Sequence, residues 1–230
     1  MEQLLRAQWQ AALGQGGGGA RCAEDHLDRL LARYREPQRH YHTVTHLAAV
    51  LGTAEDLMAQ VAVADPEAVR LALFFHDAVY DPRSDTNEAD SGALARAVLS
   101  ELEVPPRRVD SVADLVLATR HQAPTSATIN PGTVTSDHGT AAGPGTNDTA
   151  IVLDADLAIL AAEPSRYQAY ATGVRAEYPH VDDASWRTGR ATVLRAFLER
   201  SAIYLTAPMQ REEHRARANL AAELSVLAAQ

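Results

Sequence analysis

Apolar residues along this chain recur at three- and four-residue spacing, and the alternation of a half-buried strand is scarce. That period confines the chain to packed helices. Alanine supplies much of the 46% hydrophobic fraction, and alanine favours helix over sheet. Proline and glycine cut the pattern into predicted helices over 2–13, 20–35, 43–60, 66–80, 87–102, 106–121, 151–160, 164–178, 183–204 and 208–227. Asp65-Pro66-Glu67 reads as an N-cap, a first-turn proline and a first-turn acid. Residues 14–19 read as a Gly-rich turn, since no strand precedes them to make a phosphate cradle. Residues 122–150, rich in Thr, Ser, Gly, Pro and Asn, read as a mobile or disordered loop that carries a solvated His138. The expectation is an all-α, single compact domain spanning 1–230, with about eight to ten helices.

Charge narrows the chemistry. The 21 basic side chains are all arginine, set against 30 acids for a net charge of −9. Without lysine there is no Walker-type phosphate loop and no Schiff-base lysine for pyridoxal phosphate. The single Cys22 excludes an intrachain disulfide and any multi-thiolate metal site. An acidic chain without arginine runs is not expected to bind nucleic acid. No signal-peptide pattern opens the chain, and no uninterrupted apolar stretch is long enough to span a bilayer, so the expected location is cytoplasmic with no membrane partner. The face of the last helix that carries Leu220 and Leu227 is expected to pack internally, and the oligomeric state is left open.

Nine histidines stand out against few aromatics, and four motifs concentrate the chemistry. In Arg39-His40-Tyr41-His42-Thr43-Val44-Thr45-His46, His42 and His46 lie four apart, on one face of a helix. Thr43 stands where an HExxH zinc protease needs glutamate. In Phe74-Phe75-His76-Asp77-Ala78-Val79-Tyr80-Asp81, an imidazole and a carboxylate adjoin at the end of an apolar helix. Burying that aspartate is costly unless a cation or hydrogen bonds compensate it. The same argument applies to Asp154 and Asp156 inside Val152–Leu160. Asn87-Glu88-Ala89-Asp90-Ser91 opens the helix that follows the His76-Asp77 pair. Together the motifs offer imidazoles and carboxylates to one divalent cation, a mixture that suits Mn, Fe, Co, Ni or Zn.

This ordered pattern resembles the HD superfamily of metal-dependent phosphohydrolases, and more closely a small-protein branch with YHxxxH, FHDxVYD, NExxS and LDADLxIL signatures. The resemblance runs from about Arg39 to Asn219 and takes in Glu177-Tyr178, Gly189-Arg190, Ile203–Thr206 and Arg217–Leu220. It implies an all-helical HD-like fold and one divalent metal, Mg included. The implied ligands are His46, His76, Asp77 and Asp156, with Asp154 as an alternate or supporting ligand. His121 is the residue in reach of a second metal, as in two-metal HD proteins, and one metal is the expectation.

The resemblance also implies roles. His42 resembles the histidine that, in cyclic-nucleotide phosphodiesterases, protonates the leaving oxygen. Glu88 or Asp81 would act as general base. Arg39 and Arg190 are candidate phosphate clamps, because guanidinium binds phosphate in a bidentate way. The expected substrate is a nucleotide or another small phosphoester or pyrophosphate. Two alternatives stand beside hydrolysis: an HD-fold di-iron oxygenase, and a non-catalytic module that binds a metal and a nucleotide.

Overall fold

The computed structural model describes residues 1–14, 20–120 and 146–229. Among them are eleven α-helices and no strand: α1 (Glu2–Leu13), α2 (Ala20–Arg33), α3 (Val44–Met58), α4 (Pro66–Phe75), α5 (Asn87–Glu101), α6 (Pro106–Ala118), α7 (Thr146–Leu157), α8 (Pro164–Glu177), α9 (Asp183–Glu199), the single turn α10 (Ala207–Gln210) and α11 (Glu213–Ala228). A 3-10 turn, Ala158–Ala161, continues α7. The all-α expectation holds, and the ten longer helices match the ten predicted segments one for one.

The boundaries differ where side chains intervene. α4 stops at Phe75 rather than near Tyr80, because the Tyr34 hydroxyl takes the Phe74 carbonyl and His76 Nδ1 takes the Leu73 carbonyl. The predicted last helix splits into α10 and α11, with Arg211 and Glu212 between them. Residues 146–150 form the first turns of α7, which corrects the 122–150 loop at its downstream end. There the buried Asp148 carboxylate accepts the backbone N–H groups of Ala64 and Asp65 and ties α7 to the start of α4. Gly14, at φ +63°, ends α1 in a conformation that favours glycine. Residues 15–19, His121 and His138 lie outside the described residues.

Two apolar clusters divide the interior. One joins α1 to α7 around Trp9, Phe74 and Phe75, and the Trp9 ring meets Phe74 edge-on at 5.1 Å. The other joins the 3-10 turn, α8, α9 and α11 around Leu194, Tyr204 and Leu220, with Leu227 partly buried against it. Met209 packs against both. Among the described residues, no helix is long and apolar enough to cross a membrane.

Candidate metal centre and its cavity

α3 begins one residue later than its motif suggests, and that offset shapes the site. Thr43 is the N-cap, its Oγ1 accepting the N–H of Thr45. His42 therefore precedes the helix while His46 lies within its first turn. The expectation that both imidazoles share one helical face is corrected, although their rings still converge at 5.6 Å.

His46 and His76 point their Nε2 atoms at each other, 3.1 Å apart, from α3 and from the end of α4. The Leu73 carbonyl 2.7 Å from His76 Nδ1 can only accept, so a neutral His76 carries its proton there and aims the Nε2 lone pair into the cluster. Asp77 Oδ2 lies 3.2 Å from His76 Nε2 and 3.5 Å from His46 Nε2. Asp156 Oδ1 lies 3.4 Å from His46 Nε2 and 3.6 Å from His76 Nε2. Ligand atoms of His46, His76 and Asp156 all fall within 4.8 Å of one another. Two buried imidazole nitrogens this close, flanked by carboxylates, form a donor set that a divalent cation fits.

Electrostatics follow from that crowding. Burial opposes a charge on His46, but the carboxylates of Asp156 and Asp77 outweigh it and raise its pKa. Burial likewise opposes a charge on His76, and Asp77 leads the groups that push its pKa well above the ordinary value. Burial would neutralise Asp77, yet His76 and then His42 hold its pKa well below the usual carboxylate range. Each group stabilises the form that its neighbours need.

Asp154 is elsewhere. Successive helical residues turn about 100°, so positions two apart face nearly opposite sides. Fully buried, Asp154 accepts the N–H of Leu205 at 2.9 Å and of Thr206 at 2.6 Å, pinning the segment before α10 to α7. Its assignment as an alternate ligand is corrected to a structural role.

Both proposed arginine clamps are also corrected. The buried Arg39 donates to the carbonyls of Asp77 at 2.7 Å, His42 at 3.2 Å and Ala78 at 3.3 Å, and to the Glu36 carboxylate. It braces the backbone on either side of the metal cluster. Arg190 forms a bidentate pair with Glu223, at 2.7 and 3.0 Å, and lies over the Tyr170 ring. Asp81 is exposed and closes a turn, its carboxylate accepting from Arg83 N and its backbone bonding to the Asn87 amide. Glu88 lies half-buried in the first turn of α5.

The motifs missed Glu177. Its Oε1 collects the backbone N–H groups of His40, Tyr41 and His42 at 2.7, 2.7 and 3.0 Å. Its Oε2 takes His42 Nδ1 at 2.7 Å and the Tyr80 hydroxyl at 2.9 Å. Burial opposes its ionisation, but His42 outweighs burial and lowers its pKa to about 2. With Nδ1 committed to this carboxylate, His42 turns Nε2 toward Asp77 Oδ2, 4.0 Å away. Gly173 lets α8 come close enough for this: a Cβ there would sit 3.2 Å from the Tyr41 Cβ and 3.3 Å from the His40 carbonyl oxygen. The only sequence signal for Glu177 was its place in a stretch of the family resemblance.

One wall of a cavity of about 590 Å³ carries His46 and Asp156. Tyr41 stands beside them, its ring 4.8 Å from that of His46 and 4.7 Å from that of Tyr170. α8 and the start of α11 complete the cavity with Arg166, Tyr170, Glu212 and Arg215.

Fold and site define an all-helical protein with a buried histidine–aspartate centre at the foot of a small-molecule cavity. The HD domain model matches residues 43–158, half of the chain, and the chain belongs to that family. The match includes His46, His76, Asp77 and Asp156. No curated protein and no solved structure matches the chain. HD domains are in general metal-dependent hydrolases that bind divalent cations.

Proposed function

We propose that this protein is a metal-dependent phosphohydrolase acting on a small phosphorylated compound that fits a cavity of about 590 Å³. The observation that carries the reading is the convergence of His46 Nε2, His76 Nε2 and the Asp77 and Asp156 carboxylates in one cluster, of which His46 and Asp156 line the 590 Å³ cavity. These four residues would hold a divalent cation, which when bound supplies Lewis acidity at a phosphoryl group. A water oxygen attacks phosphorus, the bond to the leaving oxygen breaks, and one proton passes to that oxygen. His42 in its imidazolium form is the group for this proton: Nδ1–H stays on Glu177 while Nε2–H is given to the leaving oxygen. Glu88 is retained over Asp81 as acceptor of the water's proton, since the Asp81 carboxylate is engaged in its own turn. Tyr41 and Tyr170 form part of the cavity wall and limit the entry of bulk water beside the donor cluster.

Elemental analysis of the purified protein, followed by a phosphate-release screen over nucleotides, pyrophosphates and sugar phosphates with Mn, Co, Ni and Mg, tests the reading. About one equivalent of metal and release from at least one compound are expected. No release with any metal would refute it, and iron with oxygen consumption would assign the centre to oxygenation instead.

A further inference from the structure

Arg166 and Arg215 are the two arginines lining the cavity, and they differ in their partners. Arg215 is neutralised by Glu163, 2.7 Å away, and by Glu212. Arg166, in the first turn of α8, has no ion-pair partner among the described residues. In a chain with nine more acids than bases, a cation left unpaired on a cavity wall is available to a ligand. The rest of the lining includes the small apolar side chains of Ala49, Val50, Ala155, Ala162 and Ala169 together with Ile159. No Asn or Gln is among the described lining residues, so the amide groups suited to reading base edges are missing from them.

We propose that Arg166 binds a second anionic group of the substrate, making this cavity specific for compounds in which a short, saturated body joins the reacting phosphoryl group to another phosphate or a carboxylate. The inference rests on the phosphohydrolase reading for which end of the ligand reacts. The phosphoryl group lies at His46, His76, Asp77 and Asp156, the body lies along the alanine-rich wall, and the second anion meets the planar guanidinium. After hydrolysis the leaving alcohol keeps its own anion and stays on Arg166, while inorganic phosphate departs separately.

Titration calorimetry on Mn-loaded protein with three non-hydrolysable probes tests this. Propylphosphonate carries one anionic group, 4-phosphonobutyrate adds a carboxylate, and propane-1,3-bisphosphonate adds a second phosphonate. At least one doubly anionic probe is expected to bind about tenfold or more tighter than propylphosphonate, and the tighter of the two identifies the second group. Arg166→Ala should abolish that advantage, and Arg166→Lys, which keeps the charge without the fork, should retain part of it. An advantage undiminished in Arg166→Ala, or no advantage in the parent protein, would overturn the proposal. Phosphate release from the corresponding esters separates the two readings: an Arg166-dependent advantage without release removes hydrolysis and leaves the anion site standing.

Discussion

Glu177 Oε2 lies 2.7 Å from His42 Nδ1, a contact that spans 135 residues of chain. The same carboxylate holds three consecutive backbone N–H groups and the Tyr80 hydroxyl. One buried side chain therefore sets both the pose of the turn that leads into α3 and the direction of the His42 Nε2 atom. For the proton donation proposed for His42 this is pre-organisation: the Nδ1–H is held by Glu177, which fixes Nε2 as the nitrogen that faces the cluster.

Glu177→Gln preserves the shape and removes the charge. Turnover should fall by up to about 10²–10⁴-fold, the contribution of a positioned proton donor, with metal content unchanged. Stability should carry a pH signature. A carboxyl lowered from 4.5 to about 2 contributes stability that is fully present above the unfolded value and lost as pH falls through the folded one. The contribution is on the order of 3 kcal/mol. Thermal melts should show the parent's advantage over the variant above pH 5 and its shrinkage as pH drops toward 2. A gap constant over that range would show that Glu177 does not act through its charge.

Asp154 and Asp156 should separate cleanly. Asp156→Asn removes a donor at the cluster and should lose bound metal, with only a modest change in the stability of the metal-free chain. Asp154→Asn should keep its metal but lose about 1–3 kcal/mol, because the N–H groups of Leu205 and Thr206 are left with a weaker acceptor. Elemental analysis beside urea unfolding reads both effects. Metal loss in the Asp154 variant alone would reverse the assignment.

The contrast between these two aspartates shows what the sequence could and could not convey. The helical period and its breakers give ten segments, because an amphipathic helix is written into local spacing. His46, His76-Asp77 and Asp156 are legible as a group because carboxylates and imidazoles inside apolar helices are costly without a shared purpose. Arg39 and Arg190 are misread because a guanidinium on the sequence carries no record of whether carbonyls or a ligand meet it. Glu177 joins His42 only through the packing of α8 on the turn before α3, a long-range contact with no local pattern to announce it. His42 itself is legible as a chemical group but its place on the helical face is not, since Thr43 caps α3, which begins one residue later than predicted and leaves His42 ahead of it.

Metal binding should become tighter as pH rises. In the metal-free protein the neighbouring carboxylates raise the pKa values of His46 and His76. Protonation of these residues therefore stabilises the metal-free fold fully below the unfolded histidine value near 6.5, and the contribution is lost as pH rises through the raised folded values. A cation needs the same nitrogens bare and must displace those protons. Each proton displaced steepens apparent affinity by about tenfold per pH unit until the histidines are neutral. Mn titrations at several pH values, followed by thermal shift, should show the gain on metal addition growing with pH. A gain that shrinks as pH rises would argue against these two imidazoles as ligands.

Arg39 distinguishes a brace from a clamp. Its side chain is wholly buried and spends its donors on three carbonyls and Glu36, with the rings of Tyr34 and Tyr80 near its guanidinium. Replacing it with methionine keeps the apolar stem but strands the carbonyls of His42, Asp77 and Ala78. The expected cost is about 3–5 kcal/mol, the range for breaking a buried charged network. Arg39→Lys should recover little, because one ammonium cannot reach the set of acceptors that a planar fork spans. If Arg39 gripped substrate instead, both variants would raise KM and leave the unfolding midpoint in place. The brace reading requires the reverse order of effects: a lower midpoint in denaturant first, then weaker metal retention as the Asp77 backbone loosens, with KM changing only through the altered metal centre.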